Sequence, residues 1–432
     1  MDRLKFIRSF ASLNVFEWMF YLFVLCLAMF PGRISSTFEV LDSNINYPLF
    51  IMMVGLLVFF PVIFIYAKEK FAKREMAMAM FLFIMVWALF SMQKASIRTD
   101  VTLGDRLIPL LLMGTAALLG YFYSKIASHT SDNNRYGWED VITRFSFMLT
   151  FIICIYAAES LIGLGIRSQS ASIIMEDVGI VRLKGPLGGA AIMSVVMTLT
   201  AGVYLGNVMK RRKPVILYQI ALIITLVTIL LTGSRSGVLA IGIFGLLIVF
   251  RMRSLKKIMQ LGLGAMLAMA IVYPFISFDR ISKIEDTSRT QTWQTAMKIA
   301  TEYPKTLWMG KGYGTVWPWY LDERLSGGAT IWPKTSVYGY TLYHPHSTYV
   351  ELLVELGLIP SLVFIWILVL LIRHLYMEDD PDSILPYVIS GTLAAAGTFA
   401  FDLYLFKNFQ LSMIWWAFVF VVLAVIPRRN AA

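Results

Sequence analysis

Charge is scarce in this chain: Asp, Glu, Lys and Arg make up 15% of 432 residues against 58% apolar ones, and mean hydropathy is +0.69. Water-facing domains do not reach that balance, which argues against an ordinary soluble enzyme or binding module. Cysteine is nearly absent. Cys26 and Cys154 both fall inside apolar runs, where they read as small buried residues rather than a disulfide or metal site. Internal repetition is missing too, because the two halves differ in loop length and the long late loop has no partner in the first half.

Familiar catalytic frames are also lacking. Gly233-Ser234-Arg235-Ser236-Gly237 has the outline of a nucleophile elbow but carries Arg at its centre. Gly310-Lys311-Gly312 lacks the spacing of a phosphate loop. The N-terminus begins like a signal peptide, with Arg3, Lys5 and Arg8 before an apolar stretch, yet that stretch is too long and no small-residue cleavage pattern follows, so it is read as a first span.

What is present is a succession of apolar runs near twenty residues, each long enough to cross roughly 30 Å of hydrocarbon. Runs such as 220–231 and 362–372 are apolar on nearly every side, which fits helices and not the alternating strands of a barrel. Spans are predicted near 12–32, 47–67, 76–92, 107–124, 142–164, 187–207, 214–232, 236–252, 258–278, 347–372, 383–402 and 410–427. The expectation is an all-α integral membrane protein, a single polytopic domain over 1–432 with about twelve transmembrane helices and both termini on one side. Basic residues choose the side. An inner N-terminus collects Lys68, Lys70, Lys73 and Arg74 in one inner loop, Lys210 to Lys213 in another, Arg251, Arg253, Lys256 and Lys257 in a third, and Arg428 and Arg429 at the end. The net charge of +11 then belongs to loops beside anionic lipid, so membrane lipids and not nucleic acid are the expected partners.

Two outer segments, 165–186 and 279–346, are longer than compact bundles usually allow. The second holds Trp293, Trp308, Trp317, Trp319 and Trp332. In it, Trp293, Met297 and Ala300 share one face of a short helix opening at Thr287 or Ser288, expected to lie along the membrane surface. His344-Pro345-His346 closes this loop and leads into the tenth span, where Thr348 is expected to cap the helix and Glu351 to complete a capping box. The positive end of the helix dipole disfavours protonation of His346, and a neutral imidazole can act as a base.

Arg235 lies in the short turn between spans seven and eight, Arg182 before span six, and Arg289 at the start of the loop helix. Each has a plainer reading: Arg235 capping carbonyls or meeting lipid headgroups, Arg182 and Arg289 as solvated charges, the histidines as interfacial residues. Metal binding by the His pair is disfavoured because no Cys or Asp cluster completes a coordination set. Taken together the groups describe an anion site at the membrane surface, since the planar guanidinium fork donates paired hydrogen bonds to phosphate and keeps its charge.

Three motifs are similar to those of the O-antigen ligase and polymerase superfamily, membrane glycosyltransferases that use polyprenyl-diphosphate-linked glycans. The run 343–353, beginning Tyr343-His344-Pro345-His346-Ser347, with Glu355-Leu356-Gly357-Leu358, resembles the family's His-x-His-Asn segment and its Glu-x-Gly-Leu turn; Ser347 stands where Asn is commoner. Thr232-Gly233-Ser234-Arg235-Ser236-Gly237 resembles its Thr-x-Ser-Arg-x-Gly junction. Arg289 with Trp293, then Gly310, Gly312 and Gly314, resembles its Arg-x-x-x-Trp and Gly-x-Gly-x-Gly run.

The resemblance implies a metal-independent, cofactor-free membrane glycosyltransferase of GT-C-like architecture. It would move a glycan from undecaprenyl diphosphate to a lipid A core hydroxyl, at the periplasmic face of a Gram-negative inner membrane. It casts His346 as base and Arg235 and Arg289 as catalytic cations, with Arg182, His344, Tyr343, Arg98 and Glu351 as substrate-binding candidates. Among relatives a ligase is expected, because the His-x-His segment ends a single large late loop. A polymerase or a protein O-oligosaccharyltransferase is the alternative. A flippase, from another class, fits less well because the mid-span regions carry almost no charge.

Overall fold

The computed structural model describes residues 15–29, 54–62, 73–92, 103–133, 137–162, 174–177, 180–183, 190–251, 287–314, 347–378, 380, 382–401, 405 and 408–425. The expected span at 258–278, and Tyr343, His344, His346 and Arg98, lie outside the described residues. Residues 54–59 are helical, and thirteen bounded α-helices stand among the described residues as well. They are α1 Val15–Met29, α2 Lys73–Met92, α3 Leu103–Asn133, α4 Trp138–Ile162, α5 Ala190–Met209, α6 Val215–Leu231 and α7 Arg235–Arg251, then α8 Thr287–Thr301, α9 Pro304–Met309, α10 Thr348–Leu356, α11 Leu358–Met377, α12 Leu385–Thr398 and α13 Phe409–Ala424.

The last helix is the central one. With no polar stripe to turn toward a surface, α13 is buried from Phe409 to Leu423. It runs along α3, where Gly120 brings the two backbones so close that a Cβ there would lie 2.7 Å from the Ala417 amide. Trp415 and Trp416 extend the packing to α11, α12 and α2, through ring contacts with Phe364, Phe399 and Phe81. A second close crossing joins α5 to α12 at Gly202 and Gly391, and α6 and α7 flank α5.

Around this core the apolar side chains point outward. Leu82, Phe83, Val86 and Phe90 on α2, Leu362, Ile365 and Trp366 on α11, and Ile216, Ile220 and Ile223 on α6 are all exposed. In water that surface would aggregate; in hydrocarbon it is the expected exterior. Four helices, Lys73–Met92, Leu110–Ser128, Ala191–Met209 and Leu358–Met377, are long and apolar enough to cross a membrane, and α6 and α13 are shorter apolar helices. The chain is a multi-pass membrane protein.

The helical plan holds, with one short antiparallel pair of strands, β1 Ile174–Asp177 and β2 Ile180–Leu183, in the 165–186 segment. Ile174, Ile180 and Val181 are β-branched, which favours extended pairing. Two expectations do need correction. The span expected at 347–372 is two helices, α10 and α11, broken at Gly357. The loop helix, too, buries a different face from the expected one, for a reason that belongs with the site.

Polar ties hold the end of the bundle that carries the N-terminus of α4. Arg144 donates to both oxygens of the buried Glu17 carboxylate, at 2.9 and 3.0 Å, joining α4 to α1. Glu139 pairs with Arg212 and accepts the Ile384 amide at 3.1 Å, joining α4, the α5–α6 link and the start of α12.

Candidate functional site

The first turn of α10 is set by its neighbours. The Ser347 hydroxyl accepts the Val350 amide at 3.4 Å, so the cap falls on Ser347 and not on Thr348. Glu351 is consequently the fourth helical residue, and the expected capping box does not form; Glu351 is buried, at 3% exposure. Thr348 has another task, because its amide donates to the Phe399 carbonyl at 2.8 Å. The Tyr349 hydroxyl reaches the Ala396 carbonyl at the same distance, 2.8 Å. The end of α12 therefore fixes the start of α10, and His346 immediately precedes that fixed cap in sequence.

The other end of α10 is covered rather than solvated. Its terminal carbonyls need donors. The Val354 carbonyl takes the Lys311 amide and the Glu355 carbonyl the Gly312 amide, both at 2.8 Å. The Leu356 carbonyl takes Trp87 Nε1 of α2 at 2.9 Å. Gly310 and Gly357 both have positive φ, 71° and 86°; Gly310 sits against the backbone of Glu355 and Leu356, and Gly357 against that of Trp308 and Gly310. A Cβ on Gly310 would lie 2.1 Å from the Glu355 oxygen, and one on Gly357 would lie 2.4 Å from the Trp308 oxygen. Only glycine fits such contacts. The Gly-Lys-Gly-Tyr-Gly run is thus a saddle over the end of α10. It is secured further where Gly314 donates to Glu355 Oε2 at 3.0 Å and Tyr313 to Ser91 Oγ at 3.1 Å.

That saddle continues an arm made of α8 and α9. Ala296, Ile299 and Ala300 of α8 pack on Val350, Leu353 and Val354 of α10. This replaces the expected face of Trp293, Met297 and Ala300: Ala300 is buried against protein, Met297 is 41% exposed, and the Trp293 ring lies 6.0 Å from that of Phe401. The buried face is the one that α10 meets with an apolar stripe of its own, Val350, Leu353 and Val354. Arg289, one helical turn before Trp293, is placed in the first turn of α8. Phe399 holds the α10 cap and Phe401 meets Trp293, so the turn bearing Arg289 and the cap after His346 are tied to the same short stretch after α12.

Arg235 opens α7 and is half-buried. The Thr232 hydroxyl folds back onto the Ile229 carbonyl at 2.6 Å and accepts the Ser234 amide at 3.2 Å, while the Ser234 and Ser236 hydroxyls meet at 2.7 Å. The junction is polar but tightly wound, and Gly237 lets it press on Ser194 of α5. Arg182 lies on β2, its backbone paired with Met175, and β2 runs beside α6. Of the expected catalytic cations, then, Arg289 opens the helix that packs on α10, and Arg235 opens α7, which packs along α12.

Trp87, Ser91 and Glu355 were not expected here. Glu355 lies inside the Glu-x-Gly-Leu motif, so the sequence flags it without a role. Nothing in the α2 sequence marks Trp87 or Ser91.

A cavity of about 670 Å³ opens at the opposite end of the bundle, lined by Trp138, Glu139, Arg212, Glu378, Asp380 and Asp382. None belongs to the three motifs. Burial pushes the Glu139 carboxyl above its usual range, and Arg212 pulls it back down.

Residues 220–365 match a family model described as O-antigen ligase. The matched stretch runs from α6 into α11 and contains all three motifs, the saddle and the α8–α10 contact, but neither Arg182 nor Arg98. No curated protein matches the chain.

Proposed function

We propose, from the O-antigen ligase family domain carried by residues 220–365, that this membrane protein is an O-antigen ligase. In this reading it transfers a glycan from undecaprenyl diphosphate to a lipid A core hydroxyl at the periplasmic face of the inner membrane. One observation carries the reading. The matched stretch folds its Arg289-bearing helix and its Gly-rich saddle onto the helix that follows His346, so that two of the motifs form one packed unit.

The chemistry follows from the leaving group. The acceptor oxygen bonds to the anomeric carbon as the bond from that carbon to the diphosphate oxygen breaks. Negative charge then grows on the diphosphate. Guanidinium groups aimed at it stabilise the transition state more than the ground state, which is the role of Arg289 and Arg235, supported by the positive ends of α8 and α7. The acceptor hydroxyl must lose its proton, and a neutral His346 at the α10 cap takes it.

The test uses the full chain in membrane vesicles with lipid-linked glycan and lipid A core. His346→Ala is expected to lower transfer by about 10²-fold or more while membrane insertion stays normal. Undiminished transfer would remove His346 from the mechanism. The product decides the rest: polymer on lipid A core supports a ligase, longer polymer still on the diphosphate lipid a polymerase, and glycosylated protein an oligosaccharyltransferase.

A further inference from the structure

All three glycines of the saddle meet one residue. Gly310 rests on the Glu355 carbonyl so closely that a Cβ would lie 2.1 Å from its oxygen, Gly312 donates to that same carbonyl at 2.8 Å, and Gly314 donates to the Glu355 carboxylate at 3.0 Å. Glu355 is 1% exposed, so its bond to Gly314 is shielded from water. The first two contacts use backbone, and the third is the one the side chain provides.

What that bond secures is the far end of the arm. Arg289 sits at its start, α8 and α9 form its body, and residues 310–314 are its attachment. On the α8 side the contact with α10 is made by two alanines and an isoleucine, Ala296, Ala300 and Ile299, which bury less apolar area than larger side chains would. The body of the arm therefore leans on its attachment for its position.

We infer that Glu355 is a positioning residue of the transfer reaction, holding the arm that carries Arg289 through the Gly314 amide and touching no substrate itself. This rests on the function proposed above. A misplacement near 1 Å at a reacting centre costs on the order of 10²-fold in rate, so loosening the arm should act on turnover more than on binding.

The experiment compares Glu355→Ala with Glu355→Gln, whose amide oxygen still accepts from Gly314. Glu355→Ala is expected to lower kcat by roughly 10-fold or more with a donor KM within about threefold of the parent, and Glu355→Gln to restore most of the loss. Limited trypsin digestion of the full chain in nanodiscs reads the arm independently of activity. The bond after Lys311 lies within the saddle, and its cleavage should speed up in Glu355→Ala but not in Glu355→Gln. Parental kcat in Glu355→Ala overturns the inference. So does a fall in kcat with unchanged cleavage at Lys311, or a Glu355→Gln variant that is inactive while its saddle stays protected. Should Glu355→Ala not insert, Ser91→Ala removes the acceptor of the Tyr313 amide and must show the same two changes on a smaller scale. If the parent protein transfers no glycan, the digestion still decides whether Glu355 holds the arm, and only the functional reading falls.

Discussion

At Gly357 even a methyl group has no room, and this makes it the sharpest single-residue test of the fold. Its φ of 86° strains any other residue, and a Cβ would lie 2.4 Å from a backbone oxygen that cannot swing away. Gly357→Ala should therefore destabilise the protein by about 1–3 kcal/mol from backbone strain alone, with the clash added. Gly245 provides the control, because a Cβ in the middle of α7 meets nothing within 4 Å. Gly245→Ala should leave the melting temperature unchanged or raise it, by removing about 0.5–1 kcal/mol of helix penalty. Thermal unfolding in detergent measures both, and equal melting temperatures for the two variants would contradict the saddle geometry. The alternating glycines at 310, 312 and 314 are legible as a pattern in the sequence. Their partner is not, because the need for a bare backbone comes from a helix end more than forty residues away in Glu355. The same limit hides the cap: Ser347 and Thr348 are equally good cap residues by type, and only the Phe399 carbonyl decides between them.

Helices are where the sequence is most readable, because a twenty-residue apolar run has few other fates in lipid. Predicted spans at 76–92, 187–207 and 214–232 correspond to α2, α5 and α6 within a few residues. What apolarity does not convey is which helices touch and where one breaks. Leu358, Ile359 and Pro360 continue the apolar pattern across Gly357, so apolarity alone runs α10 and α11 into one span, and only the Glu-x-Gly-Leu turn marks the break. Likewise Glu17 and Arg144 lie 127 positions apart inside predicted spans, and their pairing follows only from the packing of α1 against α4. That pair makes a prediction at this scale. Both side chains are buried, and the Tyr21 hydroxyl also donates to Glu17 at 2.6 Å. Glu17→Ala leaves the Arg144 cation in a dry interior without its carboxylate and should destabilise the protein by about 3–5 kcal/mol. Replacing both, as Glu17→Leu with Arg144→Leu, should cost far less, since the desolvation of two charges disappears with them. A double variant no more stable than the single one would mean that the pair does more than join two helices.

At the scale of the whole molecule the open question is which way it faces, and the described basic residues of several helices supply a prediction. Lys73 with His374, Arg251 with the Glu378 carbonyl, and Arg212 with Glu139 place basic residues of several helices at one end. The saddle and the α8–α10 contact stand at the other. Positive residues stay on the cytoplasmic side, so the first end should face the cytoplasm and the candidate site the periplasm. Thiol labelling can decide it, because the native cysteines are only Cys26 and Cys154 and both can be changed to alanine. In that background Thr301→Cys marks the exposed end of α8, and Asp382→Cys marks the exposed turn before α12. A membrane-impermeant maleimide added to intact spheroplasts should label the first and not the second, and permeabilised cells should show both. The inverse pattern would put His346, Arg289 and the saddle in the cytoplasm. A glycan acceptor displayed on the outer leaflet could not reach them there, and the transfer reaction would have to be given up even though every helix stayed where it is.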